Sequence, residues 1–474
     1  GPAKNLKVQE IEQPEPGSNE VCIKVHASGV NFPDILIVEG KYQFKPKFPF
    51  SPGAETAGEI VSIGNNVKNF KIGQKVIAMP GHGAFAEYCL SPAKKLIPLN
   101  NNIDYEIASI LPMVYGTSAH ALIQRGKLKK GETQTVLGPI DPSRLGVTLT
   151  HEHLLIDLSA VFVEPSSEVD RLLSDKPVNL HNLGWIRLNW SSNKDNLVQD
   201  DVMLAIREAG RFKDAGGGTL VDVTSVGINR NPKALVEISR ATGVHIVMGS
   251  GYYIGSALPE DFSQRTVDNI TEEIVRDIQI GVGDSGVRSG IIGEIGCSWP
   301  WTKEEKKSVA AAVAAQRATG APLMIHPGRT EKAPLEIVNF IDREGGDLSR
   351  TVMSHVDIRV YDRQILRDLA STGIYIQYDT FGLESPFPPH APDTYMPSDY
   401  QRIEQLIGLI DDGFIKRLVI AHDVCTKHRL RELGGHGFDH IPLTITGWMK
   451  RQGISQSQID TILIHNPKRI LTFS

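Results

Sequence analysis

The chain has 474 residues, enough for two or three domains with a large buried core. A composition of 41% hydrophobic and 22% charged residues excludes a disordered polymer, and a formal net charge of −5 gives no pull toward nucleic acid. No apolar run approaches the roughly 18 residues that a membrane span needs, and no Lys/Arg run marks a membrane-surface patch.

The start, GPAKNLKVQE, has no apolar signal segment and no initiator Met, so a processed, tagged or truncated chain is expected. Cys22, Cys89, Cys297 and Cys425 are too scattered for CxxC or finger spacing. Reduced, buried thiols in a cytoplasmic protein are the expectation.

Residues 1–100 carry short β signals punctuated by Gly, Pro and Asn: EVCIKVHASGV (20–30), AGEIVSIG (57–64), QKVIAMP (74–80) and AFAEYCL (84–90). Such alternation predicts a small antiparallel barrel or sandwich. A helix is expected over 105–126.

From about residue 146 the rhythm changes to apolar runs separated by amphipathic stretches such as 200–215 and 303–320. The runs are VTLTHEHLL (147–155), GTLVDVTS (218–225), VHIVMGSG (244–251), GIIGEIG (290–296), APLMIH (321–326), TVMSH (351–355), GIYIQYD (373–379) and RLVIAHD (417–423). Eight β/α units in about 330 residues predict an α/β protein with a (β/α)₈ barrel, an open doubly wound sheet being the alternative.

His151 and His153 are two apart in the first run, so strand alternation turns both imidazoles to one side. Glu294, His326, His355 and Asp423 each fall at or near the C-terminal end of a later run, the end where barrels of this kind place active sites. Glu294 to His326 is 32 residues and His326 to His355 is 29, one unit each; His355 to Asp423 is 68, two units. Four imidazoles and two carboxylates on one rim suit two divalent cations, zinc foremost, with manganese, iron or cobalt as alternatives. A strand-end Glu could bridge such a pair.

These residues resemble the phosphotriesterase family of the amidohydrolase superfamily. The carriers are GPIDPSRLGVTLTHEHL (138–154), GEIGCS (293–298), IHPGR (325–329), SHVD (354–357), AHD (421–423), GGHGFDHI (434–441) and HNPKRIL (465–471). The resemblance implies that His151, His153 and Asp423 hold a more buried metal and His326 and His355 an exposed one. Glu294 and a hydroxide would bridge them, where many members use a carboxylated lysine; a Glu here matches the phosphotriesterase-related branch. Water activated by the metals to a pKa near ~7 would attack a carbonyl or phosphoryl centre of an ester, lactone, amide or phosphoester, with Asp423 taking the proton.

Asp357 has two readings, a relay for that proton or a cap for the next helix. Tyr253, Arg329 and Tyr378 lie near strand ends, as pocket or structural residues. His422 is expected to face away from Asp423 and pack. His436 and His440 are expected to order a Gly-rich loop, and Cys297 to pack. A small-molecule substrate follows, its identity set by loops such as 157–198 and 380–398.

Residues 1–132 resemble the GroES-like start of a medium-chain dehydrogenase/reductase of the quinone oxidoreductase type. The carriers are ASGVNFPD (27–34), FPFSPGAETAGEIVSIG (48–64), KIGQKVIAM (71–79) and LPMVYGTSAHALIQRGKLKKGE (111–132). Asn31 and Ala54 stand where zinc-dependent relatives carry Cys and His ligands, so no zinc is expected there. The nucleotide-binding half is missing, and the one GxGxxG, Gly281–Gly286, precedes a strand instead of following one, so no nicotinamide is expected. The domains are thus expected to be 1–132 and 133–474. The first is a fused module, a fusion relic or part of a composite chain; its open strand edges would favour a homodimer. An NADPH-dependent reductase and a catalytically silent binding protein are the competing readings.

Overall fold

A computed structural model describes residues 2–100, 102–119, 130–384 and 395–473. The chain divides into two compact units, Gly1–Gly126 and Lys127–Ser474.

The first unit contains β1 (Glu20–Gly29), β2 (Glu55–Ile63), β3 (Lys75–Ala78), β4 (Tyr88–Pro92) and β5 (Leu96–Pro98), one antiparallel sheet in the order β4-β1-β2-β3-β5. Val21, Ile23, Ile60 and Val76 are buried together, as the alternation requires. The strand expected over 84–90 begins only at Tyr88; Phe85 instead donates its N–H to Pro52 O (2.9 Å). A helix runs Tyr105–Ala119, and residues 120–126 of the expected helix lie outside the described residues. Asn31 donates its side-chain amide to Glu55 Oε1 (2.8 Å), and Met113 N donates to Glu55 Oε2 (2.9 Å).

The second unit begins earlier than residue 133. Gly131 N donates to Phe473 O and Phe473 N to Glu132 O, both at 2.9 Å. An antiparallel ribbon, β6 (Thr133–Thr135) with β7 (Gly138–Ile140), leads to the first barrel strand, β8 (Val147–Glu152). After a second ribbon, β9 (Ile156–Asp157) with β10 (Val198–Gln199), come the other seven barrel strands. They are β11 (Gly217–Asp222), β12 (His245–Met248), β13 (Ile292–Gly296), β14 (Leu323–His326), β15 (Thr351–Met353), β16 (Tyr375–Tyr378) and β17 (Leu418–Ile420).

These eight pair in parallel as β12-β11-β8 and β13-β14-β15-β16-β17. Main-chain bonds join the two arcs into the expected (β/α)₈ barrel. Gly293 N donates to Ser250 O (2.6 Å) and Glu294 N to Val223 O (3.0 Å) on one side; Asp423 N donates to His151 O (3.1 Å) on the other. Two of the crossover helices show how side chains begin and end them. Val202–Asp214 has Asp201 accepting from Leu204 N, and Lys303–Thr319 has a Thr302/Glu305 capping box and ends at Gly320 with φ 71°.

Two bulges aim the barrel's functional side chains. On β8, Leu149 pairs with Leu220 and Glu152 with Asp222, so Thr150 and His151 together oppose Val221 alone. On β13, Ile292 pairs with Leu323 and Ile295 with Ile325, so Gly293 and Glu294 oppose Met324 alone. Leu149, Leu220, Ile292 and Ile295 pack in one core cluster, while Val221 and Met324 belong to another, with Val247, Val352 and Val419. A Cβ at Gly293 (φ 131°) would stand 2.6 Å from Met324 O, so the second bulge requires glycine. The Gly281–Gly286 stretch is a tight turn in which Val282 N donates to Val287 O (2.9 Å).

Candidate metal centre

Six donors meet at the C-terminal mouth of the barrel. His153 Nε2 lies 3.3 Å from both Glu294 Oε1 and Asp423 Oδ1. His151 Nε2 is 3.6 Å from Glu294 Oε2 and 3.7 Å from Asp423 Oδ1. His326 Nδ1 is 2.9 Å from Glu294 Oε2 and 2.8 Å from His355 Nε2. Ligand atoms of His151, His153 and Asp423 lie within 4.8 Å of one another, and so do those of His151, Glu294 and His355. His326 and Asp423 are the more exposed members, with side chains 12% and 16% accessible.

The cluster fits cations rather than an internal hydrogen-bond network. His151 Nε2 is buried without a hydrogen-bond partner, a costly state for a polar nitrogen unless something else takes its lone pair. His326 Nδ1 and His355 Nε2 face each other at 2.8 Å, a hydrogen bond whose donor depends on the tautomer. His355 and Asp423 sit in the left-handed region, φ 56° and 54°, which costs a non-glycine residue about 1 kcal/mol or more. Both lie just past the ends of their strands, where that backbone turns the side chain toward the mouth.

Proton affinities report the same crowding. Burial alone would lower His153, but the carboxylates of Asp423 and Glu294 outweigh it and hold the ring up at about 9. Burial likewise opposes the Asp379 and Glu294 carboxylates at His355, which also stays at about 9. Burial and the charge of His355 push His326 down to about 4. Burial works to raise Glu294, and the surrounding histidines nonetheless draw it well below the ordinary carboxylate range.

Asp379 is the residue that sequence reasoning missed. Its Oδ2 lies 2.9 Å from His151 Nδ1 and its Oδ1 2.8 Å from His355 Nδ1, so one carboxylate orients a histidine of each group. A signal was present, since Asp379 ends the run GIYIQYD as Asp423 ends RLVIAHD. Thr224 Oγ1 plays the same part for His153 Nδ1 at 2.9 Å.

The other candidates divide. Tyr253 and Arg329 line the cleft beside the donors, a space of about 810 Å³ that opens to solvent. Tyr378 does not; it is wholly buried in the core cluster that holds Leu149 and Ile376, because strand alternation turns it away from the mouth. Asp357 is buried; its Oδ2 accepts from Arg402 Nε (2.8 Å) and Thr380 Oγ1 (2.5 Å), while its Oδ1 has no hydrogen-bond partner. The cap reading does not fit, for the next helix starts at Arg363 with Asp362 as its cap.

Arg402 also donates to Asp399 Oδ1 (2.9 Å), and Asp399 Oδ2 lies 2.8 Å from His440 Nε2, with His436 stacked on His440. The network pins the loops that follow β15, β16 and β17. His422 packs on the far side of its segment, Nδ1 against Glu152 Oε1 at 2.8 Å. Cys297 is buried, and burial together with Glu305 pushes its thiol well up, as for a packing residue. Arg359, His428 and Arg429 are cleft residues that the motifs did not reveal.

A closed parallel barrel with imidazole and carboxylate donors at its C-terminal mouth defines a class, the metal-dependent hydrolases of the amidohydrolase type. The phosphotriesterase family model matches residues 131–471, and the chain belongs to that family. A phosphotriesterase-related protein of Nematostella vectensis is 46% identical, covering 73% of this chain and 100% of that one. An N-acetyltaurine hydrolase of Danio rerio is 44% identical, covering 73% and 99%. The crystal structure of a resiniferatoxin-binding protein from Rhodobacter sphaeroides superposes with a TM-score of 0.70 at 35% identity, covering 72% of this chain and 95% of that one. Residues 17–101 match the alcohol dehydrogenase GroES-like domain. The protein is a hydrolase of this family with a GroES-like N-terminal domain. No helix among the described residues is long and apolar enough to cross a membrane.

Proposed function

We propose that residues 133–474 form a binuclear metal-dependent hydrolase acting on a small N-acyl amide. The observation that carries this reading is the meeting of six nitrogen and oxygen donors around the partnerless Nε2 of His151. His151, His153 and Asp423 would hold one divalent cation, His326 and His355 the other, and Glu294 would bridge them. Zinc suits the donor set, with manganese, iron or cobalt as alternatives.

When bound, the cations would supply Lewis acidity, enough to lower the pKa of water toward about 7 and to polarise a scissile carbonyl. The chain's own residues do the rest. Asp379 and Thr224 fix the three imidazoles that carry Nε2 toward the donors. Asp423 takes the proton of the attacking water at a carboxylate oxygen and returns it to the departing amine. Tyr253, packed edge-on against His326 at 5.1 Å, walls the reacting carbonyl.

The amide preference rests on the relatives named N-acetyltaurine hydrolase, several of which are 40–44% identical over nearly their whole length. The test is a hydrolysis screen of metal-reconstituted protein over N-acyl amides, carboxylic esters, lactones and phosphotriesters. It is paired with elemental analysis of the wild type and of His153→Ala. About two equivalents of metal and amide cleavage, both lost in the variant, are expected; a metal-free, inactive wild type refutes the reading. The GroES-like domain is read as an appended module without a nicotinamide site, and saturable quenching on titration with NADPH would overturn that.

A further inference from the structure

His428 lies in the short helical turn Lys427–Arg429 and lines the cleft together with His153, Glu294 and Asp423. The turn is held from two sides. Arg429 donates to Asp423 O (2.5 Å) and to Phe381 O (2.9 Å), and Lys427 Nζ donates to Asp195 Oδ1 (2.6 Å). The ring of His428 therefore has a fixed place in the cleft wall.

Asn196 sets the proton on that ring. The wholly buried Asn196 donates its Nδ2 to Trp190 O (2.9 Å), and its Oδ1 accepts from the backbone N–H of His428 (2.8 Å). A carbonyl can meet only the NH₂ of an amide and an N–H only its oxygen, so both ends of Asn196 are identified. The same Oδ1 lies 3.0 Å from His428 Nδ1, which must then carry the hydrogen. Burial, and after it the charges of Arg429 and Arg187, push the ring down to about 3, so it stays neutral. A neutral ring with its proton on Nδ1 keeps a bare lone pair on Nε2. The packing residue His422 differs, since Glu152 meets its Nδ1 and Ile441 N donates to its Nε2 (3.0 Å). Among the described residues, nothing donates to His428 Nε2.

We propose that His428 Nε2 accepts a hydrogen bond from the N–H of the scissile amide, and so makes the cleft selective for secondary amides over tertiary amides and esters. This rests on the amide reading above and adds the residue that recognises the nitrogen. An ester presents an oxygen lone pair at that point, facing the lone pair of Nε2, and an N-methyl amide presents a methyl group. A site built around one N–H rejects analogues that lack it, because its own polar atom is left unmet. Holding the N–H also fixes the side on which the nitrogen lone pair develops as the carbonyl is attacked, where the departing amine must receive its proton.

N-propylacetamide, N-methyl-N-propylacetamide and propyl acetate differ only at the point His428 would read. The metal-loaded wild type is expected to favour the secondary amide over the tertiary one in kcat/KM by about tenfold to a hundredfold, the range for one unmet buried polar atom. His428→Asn keeps an NH₂ where ring Nδ1 stands and removes Nε2. In it that ratio is expected to fall about tenfold, and propyl acetate to gain on the secondary amide. His428→Gln carries a carbonyl oxygen out to the place of Nε2 and is expected to restore part of the ratio. Equal losses on all three compounds, or an unchanged ratio in His428→Asn, would overturn the proposal.

Nitrogen NMR of protein carrying isotopically labelled histidines separates this from failure of the amide reading. The signals lost in His428→Asn identify the ring. Its Nε2 is expected to resonate as an unprotonated imidazole nitrogen, and to shift on addition of N-propylacetamide but not of N-methyl-N-propylacetamide. If esters are cleaved and no amide is, the amide reading falls, and this shift alone decides the role of His428. A protonated Nε2, no shift, or equal shifts with both amides overturns it.

Discussion

Asp379 grips His355 at two points: its Oδ1 lies 2.8 Å from the ring Nδ1 and 3.0 Å from the backbone nitrogen. Its other oxygen reaches His151 Nδ1 at 2.9 Å. One buried carboxylate thus sets the orientation of a histidine in each donor group. Replacing it with Asn leaves an amide whose NH₂ opposes a ring N–H. Asp379→Asn is expected to weaken metal affinity about 10- to 100-fold, at both positions together. Competition with a calibrated chelator checks this; loss confined to one equivalent would contradict the shared role.

Metal removal should make stability fall at alkaline pH. In the metal-free protein, His153 and His355 are held at about 9, above the ordinary 6.5. Groups raised on folding stabilise fully below their unfolded pKa and lose that contribution as pH rises through the folded one. The melting temperature of chelated protein is therefore expected to drop between about neutral pH and pH 9–10, and metal-loaded protein to change less. A flat or rising profile for the chelated protein would refute the assignment.

Asp357 is predicted to matter for stability and not for proton transfer. Arg402 is wholly buried and bonds Asp357, Asp399, Thr380 Oγ1 (2.7 Å) and Leu383 O (2.9 Å). Arg402→Met strands two buried carboxylates and is expected to cost about 3–5 kcal/mol in denaturant unfolding. Asp357→Asn is expected to lower the unfolding midpoint while the pH profile of kcat keeps its shape. A shifted basic limb would restore the relay.

The residue between the paired histidines closes the barrel. Glu152 Oε1 accepts from His422 N (2.9 Å) and lies 2.8 Å from His422 Nδ1, and Oε2 accepts from Val424 N (3.1 Å). These bonds tie the first barrel strand to the segment after the last. Glu152→Ala leaves two buried N–H groups and an imidazole unmet, at about 1–3 kcal/mol each. A fall of several degrees in melting temperature is expected, with weaker metal binding through displaced Asp423. An unchanged melting temperature would show that the closure does not depend on Glu152.

The sequence by itself determined the architecture and marked six side chains that the fold brings together. Eight apolar runs with amphipathic stretches between them can bury their faces only as parallel strands under helices, and His151, His153, Glu294, His326, His355 and Asp423 fall at run ends spaced by whole units. Tertiary structure alone decided which way those side chains point. Strict alternation puts Leu149 on the face of His151 and Ile292 on the face of Glu294, yet each pair is split by an extra residue in its strand. Tyr378 and Asp379 are neighbours in one run, so alternation turns them to opposite sides, and only the tertiary structure decides that the first enters the core and the second meets two histidines. Asp357 and Arg359 are likewise two apart, one absorbed by Arg402 and the other left facing the cleft. Periodicity is a local property that burial enforces, whereas bulges and ion-pair choice depend on which distant strand or helix arrives alongside.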